Sequence, residues 1–285
     1  MNEFNENGLH KIDSIIEKAL EEDIASGDIT TDAVFDDYKY STAVITAKND
    51  GVLAGINVVR RVFEKVDYDL SFKSIKEDGV NIYYGFEIAE ISGDTRSILK
   101  GERTALNFLG RMSGIATLTN EFVKRIKGTK AKILDTRKTS PNLRILEKYA
   151  VSAGGGYNHR FGLYDMFLIK DNHIKAAGGL GKAIKKAVKY REEEGIDAKI
   201  EIEAENIEQV REALSEGVDR IMLDNMDVKD MHESVEIASG MVEIEVSGNV
   251  NLENIAEIAS IGVDYISIGT LTHSVKNLDF SLLIL

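Results

Sequence analysis

The chain has 285 residues, of which 43% are hydrophobic and 29% charged, and its formal net charge is −13 at pH 7. The absence of cysteine excludes disulfides, thiolate metal ligands and a cysteine nucleophile. The apolar runs are far shorter than the ~20 residues that a membrane helix needs. The acidic segment Met1–Gly8 lacks the basic and then apolar pattern of a signal peptide. The sequence therefore predicts a cytoplasmic protein of one large or two modest domains.

The first hundred residues predict mixed helical and strand structure. Apolar residues recur at helical spacing in Leu9–Ile24 and in Ile56–Val66. Tyr40–Ala47 and Asn81–Ile91 have the composition of strands. These four segments predict a small α/β unit at the start of the chain.

A long helical pattern follows, from Thr95 to Lys127. Such a length is unusual for one helix of a globular protein. We therefore predict that Gly110 and Gly114 divide or bend it.

After residue 130 short apolar runs alternate with helical patterns, which is typical of parallel βαβ units. The runs cover residues 131–134, 166–169, 198–202, 220–223, 242–246 and 265–268. A period of about twenty residues favours a β/α barrel, with as few as six strands, over a doubly wound sheet. Because barrel strands carry the active site at their C-terminal ends, we expect these residues to converge there: Asp135, Lys170, Glu203, Asp224, Ser247 and Gly269. From the alternation of side chains along a strand, we expect Glu201 and Glu205 to point away from Glu203 or to lie beyond the strand.

Residues 130–175 form a basic island, with nine Lys or Arg against four Asp or Glu in an otherwise acidic chain. Its cations include Arg137, Lys138, Arg160 and Lys170, which follow strands or lie near Gly154–Gly156. Arginine pairs bidentately with carboxylates and phosphates, and lysine adds a compact charge. We therefore predict a pocket for a small polyanion, and no nucleic-acid surface, in preference to a solvated basic face.

Other polar groups at the predicted strand ends extend this site. Glu203 and Asp224 could bind ribose hydroxyls or a magnesium ion, or could simply neutralise neighbouring cations. Small residues at two further strand ends could cradle a phosphate through backbone N–H groups: Ser247, Gly248, Asn249, Gly269, Thr270 and Leu271. We interpret Gly154–Gly156 as a mobile or close-approach loop that brings His159 and Arg160 to a ligand, since its spacing differs from a dinucleotide-binding fingerprint.

Motifs along nearly the whole chain resemble the quinolinate phosphoribosyltransferase family, also called nicotinate-nucleotide pyrophosphorylase (carboxylating). The segments that carry the resemblance are Glu22–Asp23, Gly27–Thr31, Asp50–Gly55, Gly101–Leu109, Asp135–Thr139, Asn158–Arg160, Leu168–His173, Leu223–Asn225, Ser247–Asn249 and Gly269–Ser274. The resemblance implies an α/β fold, in which an N-terminal α/β sandwich domain accompanies an incomplete β/α barrel. The implied domains are 1–112, completed by 275–285, and a catalytic barrel of 113–274.

The implied reaction transfers the phosphoribosyl group of 5-phosphoribosyl 1-diphosphate to the nitrogen of quinolinate and then removes carbon dioxide. Its products are nicotinate mononucleotide and diphosphate, in NAD biosynthesis, with Mg²⁺ assisting the diphosphate. The resemblance also implies a homodimer with shared active sites, or a hexamer built from such dimers.

Roles for individual residues follow from the same resemblance. Arg137, His159 and Arg160, with Lys138 nearby, would bind the quinolinate carboxylates, and Lys138 and Lys170 would face the diphosphate. Glu203 and Asp224 would address the ribose and the metal and would act with Lys138 as catalytic residues. The 5′-phosphate would bind at Ser247, Gly248, Asn249, Gly269, Thr270 and Leu271, with His273 as a further candidate. Arg103 would reach the neighbouring subunit's site.

Two positions depart from the family pattern, and three other functions stay open. Asn142 stands where glycine is frequent, which we expect to alter only a turn, and Ser152 stands where a basic residue often occurs.

The alternatives are a homologue associated with molybdenum transport, a non-catalytic pyridine-nucleotide binding protein, and a phosphosugar lyase or isomerase with Lys170 as a Schiff-base nucleophile.

Overall fold

The computed structural model describes residues 6–285, so residues 1–5 of the acidic N-terminal segment lie outside the described range. The elements up to residue 125 are α1 (Glu6–Ile24), α2 (Ile29–Val34), β1 (Tyr40–Ala47), β2 (Gly51–Val52), α3 (Ile56–Val66), β3 (Ser71–Ser74), β4 (Asn81–Ile82), β5 (Glu87–Asp94) and α4 (Thr95–Arg125). Those that follow are β6 (Lys132–Leu134), α5 (Arg144–Ala153), β7 (Phe167–Ile169), α6 (Asp171–Ala177), α7 (Leu180–Glu193), β8 (Ile200–Ala204), α8 (Ile207–Ser215), β9 (Arg220–Asp224), α9 (Val228–Ala238), β10 (Glu243–Ser247), α10 (Ile255–Ser260), β11 (Tyr265–Ser267), α11 (Thr270–His273) and β12 (Phe280–Ile284).

These elements form two compact units. The first contains the chain up to Asn120 together with Thr139–Gly155 and Thr270–Leu285, and the second contains Glu121–Lys138 and Gly156–Gly269. The boundaries implied by the family resemblance are residues 112 and 274, whereas the compact units change at residues 120 and 269 and the α5 segment belongs to the first unit. Across the described residues, no helix combines the length and the apolar composition needed to cross a lipid bilayer.

The first unit is built on an antiparallel sheet in the order β12-β1-β5-β3. The last strand of the chain pairs with β1, with Ile45 opposite Leu282. Helix α3 buries Val59, Val62 and Phe63, because its apolar residues recur every three or four positions. The predicted strand over Asn81–Ile91 is two strands, β4 and β5, since Gly85 turns the chain between them with φ +83°.

The prediction that Gly110 and Gly114 divide the long helix is wrong, because α4 is continuous over 31 residues. The two glycines instead allow the backbone of residues 276–278 to lie against the helix. A Cβ at Gly110 would stand 2.6 Å from the Leu278 carbonyl oxygen, and one at Gly114 would stand 2.4 Å from that of Lys276. Their helix propensity is poor, but close packing decides their presence here.

The second unit contains a six-stranded parallel sheet in the order β6-β11-β10-β9-β8-β7. All six predicted apolar runs form its strands, and helices follow them along the chain, which confirms the incomplete β/α barrel. Since all neighbouring pairs are parallel, the C-terminal ends of the strands lie at one edge of the sheet. The predicted strand-end residues therefore come to the same edge.

Candidate functional site

The site lies at that edge of the second unit. Asp135 and Lys170 directly follow β6 and β7, Glu203 lies near the end of β8, and Asp224 and Ser247 are the last residues of β9 and β10. Gly269 follows two residues after β11. The period in the sequence thus located one side chain or glycine on each of the six strand ends.

A lysine and a carboxylate form an ion pair between neighbouring strands. The Nζ atom of Lys170 contacts Oε1 of Glu203, and the lysine side chain is 42% exposed while that of the glutamate is 11% exposed. The Lys170 backbone N–H donates to Nδ1 of His173, 3.0 Å away, so His173 caps helix α6. This pairing leaves the lysine ammonium accessible at the mouth of the site.

Two arginines place like charges close together. Burial, followed by the nearby charge of Arg137, lowers the pKa of the Arg160 guanidinium, which Asp165, Glu201 and Glu203 oppose. Arg160 donates from Nη1 to the Met166 carbonyl oxygen at 3.1 Å. Two partly buried guanidinium groups that repel each other gain from an anion between them. Lys138 is exposed beside this pair, and its backbone N–H donates to Oγ1 of Thr136.

Two buried side chains accept hydrogen bonds from the main chain at residues 159 and 160. The buried Asp135 accepts the His159 backbone N–H at 2.9 Å, and Nδ1 of His159 accepts the Arg160 N–H at 2.7 Å. Upstream, Gly154 allows a close approach within the first unit, since a Cβ there would stand 2.4 Å from the Ala116 carbonyl oxygen. The sequence allowed a mobile loop or a close approach of the backbone at Gly154–Gly156, and the structure shows a close approach at Gly154.

The ends of β9 and β10 are joined through asparagine side chains. Asn225 donates from Nδ2 to Oδ2 of Asp224 at 3.0 Å, and its Oδ1 accepts from Nδ2 of Asn249 at 3.1 Å. The Asn225 backbone N–H donates to the Ser247 carbonyl oxygen. Gly248, between Ser247 and Asn249 in the chain, has φ +89°. A Cβ at this position would stand 2.1 Å from Oδ1 of Asn225. The predicted phosphate cradle is therefore linked directly to Asp224, a connection that the sequence analysis missed.

The remaining predicted residues belong to the first unit. Thr270, Leu271 and His273 form the four-residue helix α11, where Leu271 is buried and His273 is exposed with Nδ1 2.6 Å from Oγ of Ser274. Arg103 is exposed on α4. Of the two departures from the family pattern, Asn142 lies in a turn with φ +66°, a conformation that glycine adopts readily, and Ser152 is exposed.

Within the first unit an arginine holds the segment that follows Lys138. Arg111 donates to Oε1 of the buried Glu147 at 2.7 Å, to Oγ of Ser140 at 3.3 Å and to the Thr272 carbonyl oxygen. Glu147 also accepts the Ser140 backbone N–H at 3.1 Å. No motif pointed to this cluster, because its members are separated by up to 161 positions in the chain.

The expectation that Glu201 points away from Glu203 is wrong. Residues two apart on a strand share a face, so Glu201 lies one layer deeper on the same side. It is fully buried, and its carboxylate oxygen Oε2 lies 3.1 Å from Nε2 of His159. Glu245, two residues before Ser247, is buried in the same layer, where it accepts from Nη1 of Arg220 at 2.9 Å and from Oγ of Ser267. The available signal was a carboxylate two positions before a predicted site residue, as Glu201 is before Glu203 and Glu245 is before Ser247.

Comparisons with known proteins agree with this geometry. The family model described as the N-terminal domain of quinolinate phosphoribosyl transferase matches residues 28–113, and the model for its C-terminal domain matches residues 115–283. A probable nicotinate-nucleotide pyrophosphorylase [carboxylating] of Bacillus subtilis is 45% identical over 92% of this chain and 89% of its own length. A mitochondrial quinolinate phosphoribosyltransferase [decarboxylating] of Nicotiana tabacum is 43% identical, covering 96% and 82%. The solved nicotinate-nucleotide pyrophosphorylase of Francisella tularensis superposes with a TM-score of 0.92 at 39% identity, covering 97% and 96%.

Proposed function

Because the chain belongs to the quinolinate phosphoribosyltransferase family, we propose that it converts quinolinate and 5-phosphoribosyl 1-diphosphate to nicotinate mononucleotide, diphosphate and carbon dioxide. The observation that carries this proposal is the convergence of cations at the C-terminal edge of the parallel sheet, where Arg137 follows β6, Lys170 follows β7 and the half-buried Arg160 lies between them in the chain. A planar dicarboxylate supplies two anionic groups for two planar cations. The relatives described above favour this enzyme over the transport-associated, binding-only and lyase alternatives.

For the first step, Arg137 and Arg160 would hold the carboxylates, with His159 and Lys138 nearby, and so fix the ring nitrogen against the anomeric carbon of the ribose. Holding two reactants in this geometry removes much of the entropic part of the barrier. Lys170 would face the departing diphosphate. Glu203 and Asp224 would bind the ribose hydroxyls and present negative charge to the oxocarbenium character that develops as the diphosphate leaves.

For the second step, the positive charge of the quaternary ring nitrogen formed by the transfer stabilises the electron pair left on C2 when the 2-carboxylate departs as carbon dioxide, and C2 then takes up a proton from water to give nicotinate mononucleotide. The protein then needs only to hold the adduct, and no general base is required. This division of labour is in keeping with a site whose cations bind carboxylates and whose carboxylates face the sugar.

Mg²⁺ would enter mainly with the diphosphate, whose charge it neutralises when bound. Glu203 and Asp224 are its candidate protein ligands. Glu203 is paired with Lys170, and Asp224 accepts from Asn225, so neither belongs to a ready protein cage of several carboxylates. Such an arrangement fits magnesium, which is commonly held by one or two carboxylates together with substrate phosphates and water.

Within the second unit, the 5′-phosphate would bind at Ser247, Gly248, Asn249 and Gly269. The left-handed backbone at Gly248 and Asn249, with φ +89° and +53°, supports a role for main-chain N–H groups. Asn225, which is hydrogen-bonded to both Asn249 and Asp224, would hold the Asp224 carboxylate in a fixed position relative to this loop.

We also propose that the enzyme is a homodimer whose Arg103 completes the partner's site, either alone or within a hexamer. The exposure of Arg103 supports this role. Arg103→Ala and Arg137→Ala, each inactive alone, should partly regain activity when mixed under conditions that exchange subunits. Absence of recovery after demonstrated exchange would contradict shared sites. The predicted cytoplasmic location is tested by cell fractionation.

The reaction itself is tested by incubating the purified protein with quinolinate, 5-phosphoribosyl 1-diphosphate and Mg²⁺. We expect nicotinate mononucleotide and carbon dioxide in equal amounts, and loss of both when Mg²⁺ is chelated. Folded protein that forms neither product would contradict the proposal.

A further inference from the structure

A buried polar layer lies directly beneath the strand-end site. Its members are His159, Glu201 and Glu245, whose exposures are 8%, 0% and 0%. One ligand atom from each lies within 4.8 Å of the other two. Glu201 and Glu245 have no assigned part in the transfer or decarboxylation chemistry, so their burial beside His159 requires another explanation.

The hydrogen bond at Nδ1 fixes the tautomer of His159. Because Nδ1 accepts the Arg160 backbone N–H at 2.7 Å, the proton of the neutral ring is on Nε2. That atom lies 3.1 Å from Oε2 of Glu201 and 3.5 Å from Oε1 of Glu245. The ring thus places Nε2 close to the buried carboxylates and directs the Nδ1 lone pair to the main chain of Arg160.

Glu201 has fewer hydrogen-bond donors than Glu245. Glu245 has Arg220 and Ser267 as hydrogen-bond donors, whereas neither carboxylate oxygen of Glu201 has a regular hydrogen bond among the described residues. A buried carboxylate is costly without a compensating partner. Nε2 of His159 therefore lies next to the Glu201 carboxylate, 3.1 Å from Oε2.

The same geometry argues against a metal ion in this layer. A metal bound to Nε2 would need a lone pair on that atom while the Nδ1 lone pair is already used, which would make the ring an imidazolate. The Arg220 guanidinium, 2.9 Å from Glu245, adds a positive charge where the metal would lie. A ring that bears a proton on Nε2 faces both carboxylates without requiring a metal ion.

We propose that Glu201 is a positioning residue for quinolinate binding, which acts by holding His159 as the Nε2-protonated tautomer. In that state Nδ1 and Asp135 fix the backbone N–H groups of residues 160 and 159, respectively. The guanidinium of Arg160 is thereby held at the site edge. The inference rests on the proposed function for its effect on quinolinate, but not for its effect on the histidine ring.

The first test is spectroscopic and needs no substrate. In protein labelled with ¹⁵N-histidine, the ring signals of His159 should show an unprotonated Nδ1 and a protonated Nε2, with the assignment made from their loss in His159→Asn. In Glu201→Gln, which keeps the size of the side chain, we expect this pattern to shift toward the other tautomer or a mixture. Glu205→Gln, an exposed neighbour, serves as the control and should leave it unchanged.

The second test measures binding. Glu201→Gln should weaken quinolinate binding about three- to tenfold while the KM for 5-phosphoribosyl 1-diphosphate changes less than twofold. If Glu201 acts through His159, the double variant with His159→Asn should bind quinolinate no more weakly than His159→Asn alone, because coupled residues are non-additive.

Several outcomes would overturn the proposal. They are a wild-type His159 that carries its proton on Nδ1, a Glu201→Gln variant with unaltered ring signals and quinolinate affinity, equal losses for both substrates, or a tightly bound metal ion that the variant loses. Absence of turnover by the wild type, with the tautomer as expected and sensitive to Glu201, would refute the reaction and leave the positioning of the ring intact.

Discussion

Lys170 at the end of β7 contacts the carboxylate of Glu203 near the end of the adjacent strand β8. The pair brings together one group assigned to the diphosphate and one assigned to the ribose. When substrate enters, Lys170 would exchange its partner for the anionic diphosphate, and Glu203 would exchange its partner for the ribose hydroxyls. The ion pair thus keeps two charges in the site compensated until the sugar donor arrives.

Glu203→Gln should lower kcat on the order of 10²-fold with little change in the KM for quinolinate. The variant lacks the negative charge that stabilises the positive charge developing on the ribose in the transition state, and that charge does not contact quinolinate. Steady-state kinetics with both substrates varied would measure this. Glu205→Gln, an exposed neighbour two residues on, is the matched control and should stay within twofold of the wild type. A Glu203→Gln enzyme with normal kcat would remove this residue from catalysis.

Arg160→Ala should weaken quinolinate binding by at least about tenfold, in line with a lost charge-assisted hydrogen bond. The same change should leave the free energy of unfolding unaltered or raise it, because it relieves the repulsion from Arg137 and the burial that lower the Arg160 pKa. Calorimetric titration and urea unfolding would measure the two effects. Arg211→Ala, at an exposed ion pair on the outer helices, should alter neither by much. Parallel losses of binding and stability would argue for a structural arginine.

The buried carboxylates should make stability depend on pH. Burial raises the pKa of Glu201 to about 7, and burial with the charge of Glu201 raises that of Glu245 to about 8. A raised folded-state pKa means that the folded protein binds the proton more tightly than the unfolded chain does. The stabilisation is therefore complete below about pH 4.5 and is lost as the pH rises through 7 and 8.

Glu245→Gln should remove much of this dependence. Relative to the wild type, the variant should gain on the order of 3 kcal/mol in unfolding free energy between pH 5 and pH 8.5. Urea unfolding at several pH values would show the gain, and Glu236→Gln on the exposed face of α9 is the control. Identical pH profiles for the wild type and Glu245→Gln would contradict the raised pKa.

Gly248→Ala should raise the KM for 5-phosphoribosyl 1-diphosphate about tenfold or more, because the new Cβ would meet Oδ1 of Asn225 and separate Asn225 from Asn249. Gly240→Ala separates this clash from backbone strain, since Gly240 also has positive φ (+76°) but no heavy atom within 4 Å of an added Cβ. We expect the control to lose some stability and to keep its KM. Equal effects on KM would mean that the loop geometry at Gly248 does not matter for binding.

Much of the barrel could be predicted from the sequence because short apolar runs mark its buried parallel strands. Each of the six runs ended at a polar residue or a glycine, so the strand-end positions from Asp135 to Gly269 followed from spacing alone. Gly110 and Gly114 were misread because helix propensity is local, whereas the segment 276–278 that requires them lies about 165 residues away.

The layer below the site was missed for a different reason. Alternation along β8 places Glu201 on the same face as Glu203, yet an acidic residue inside a strand looks like an exposed position until its partners are known. His159 and Glu245 are distant in sequence, and only the folded sheet brings them to Glu201. The links from Asn225 to Asp224 and from Arg111 to Glu147 are likewise tertiary, and no periodic signal announces them.

The central claim, that two cations select a pyridine dicarboxylate, is tested most directly by comparing quinolinate with nicotinate as acceptors in one preparation. Each would be incubated with 5-phosphoribosyl 1-diphosphate and Mg²⁺, and kcat/KM would be measured from the nicotinate mononucleotide formed. The account predicts turnover of quinolinate and a kcat/KM for nicotinate lower by at least about 10³-fold, since nicotinate lacks the second carboxylate that a site with two guanidinium groups must neutralise. Equal use of the two acceptors, or use of nicotinate alone, would contradict it.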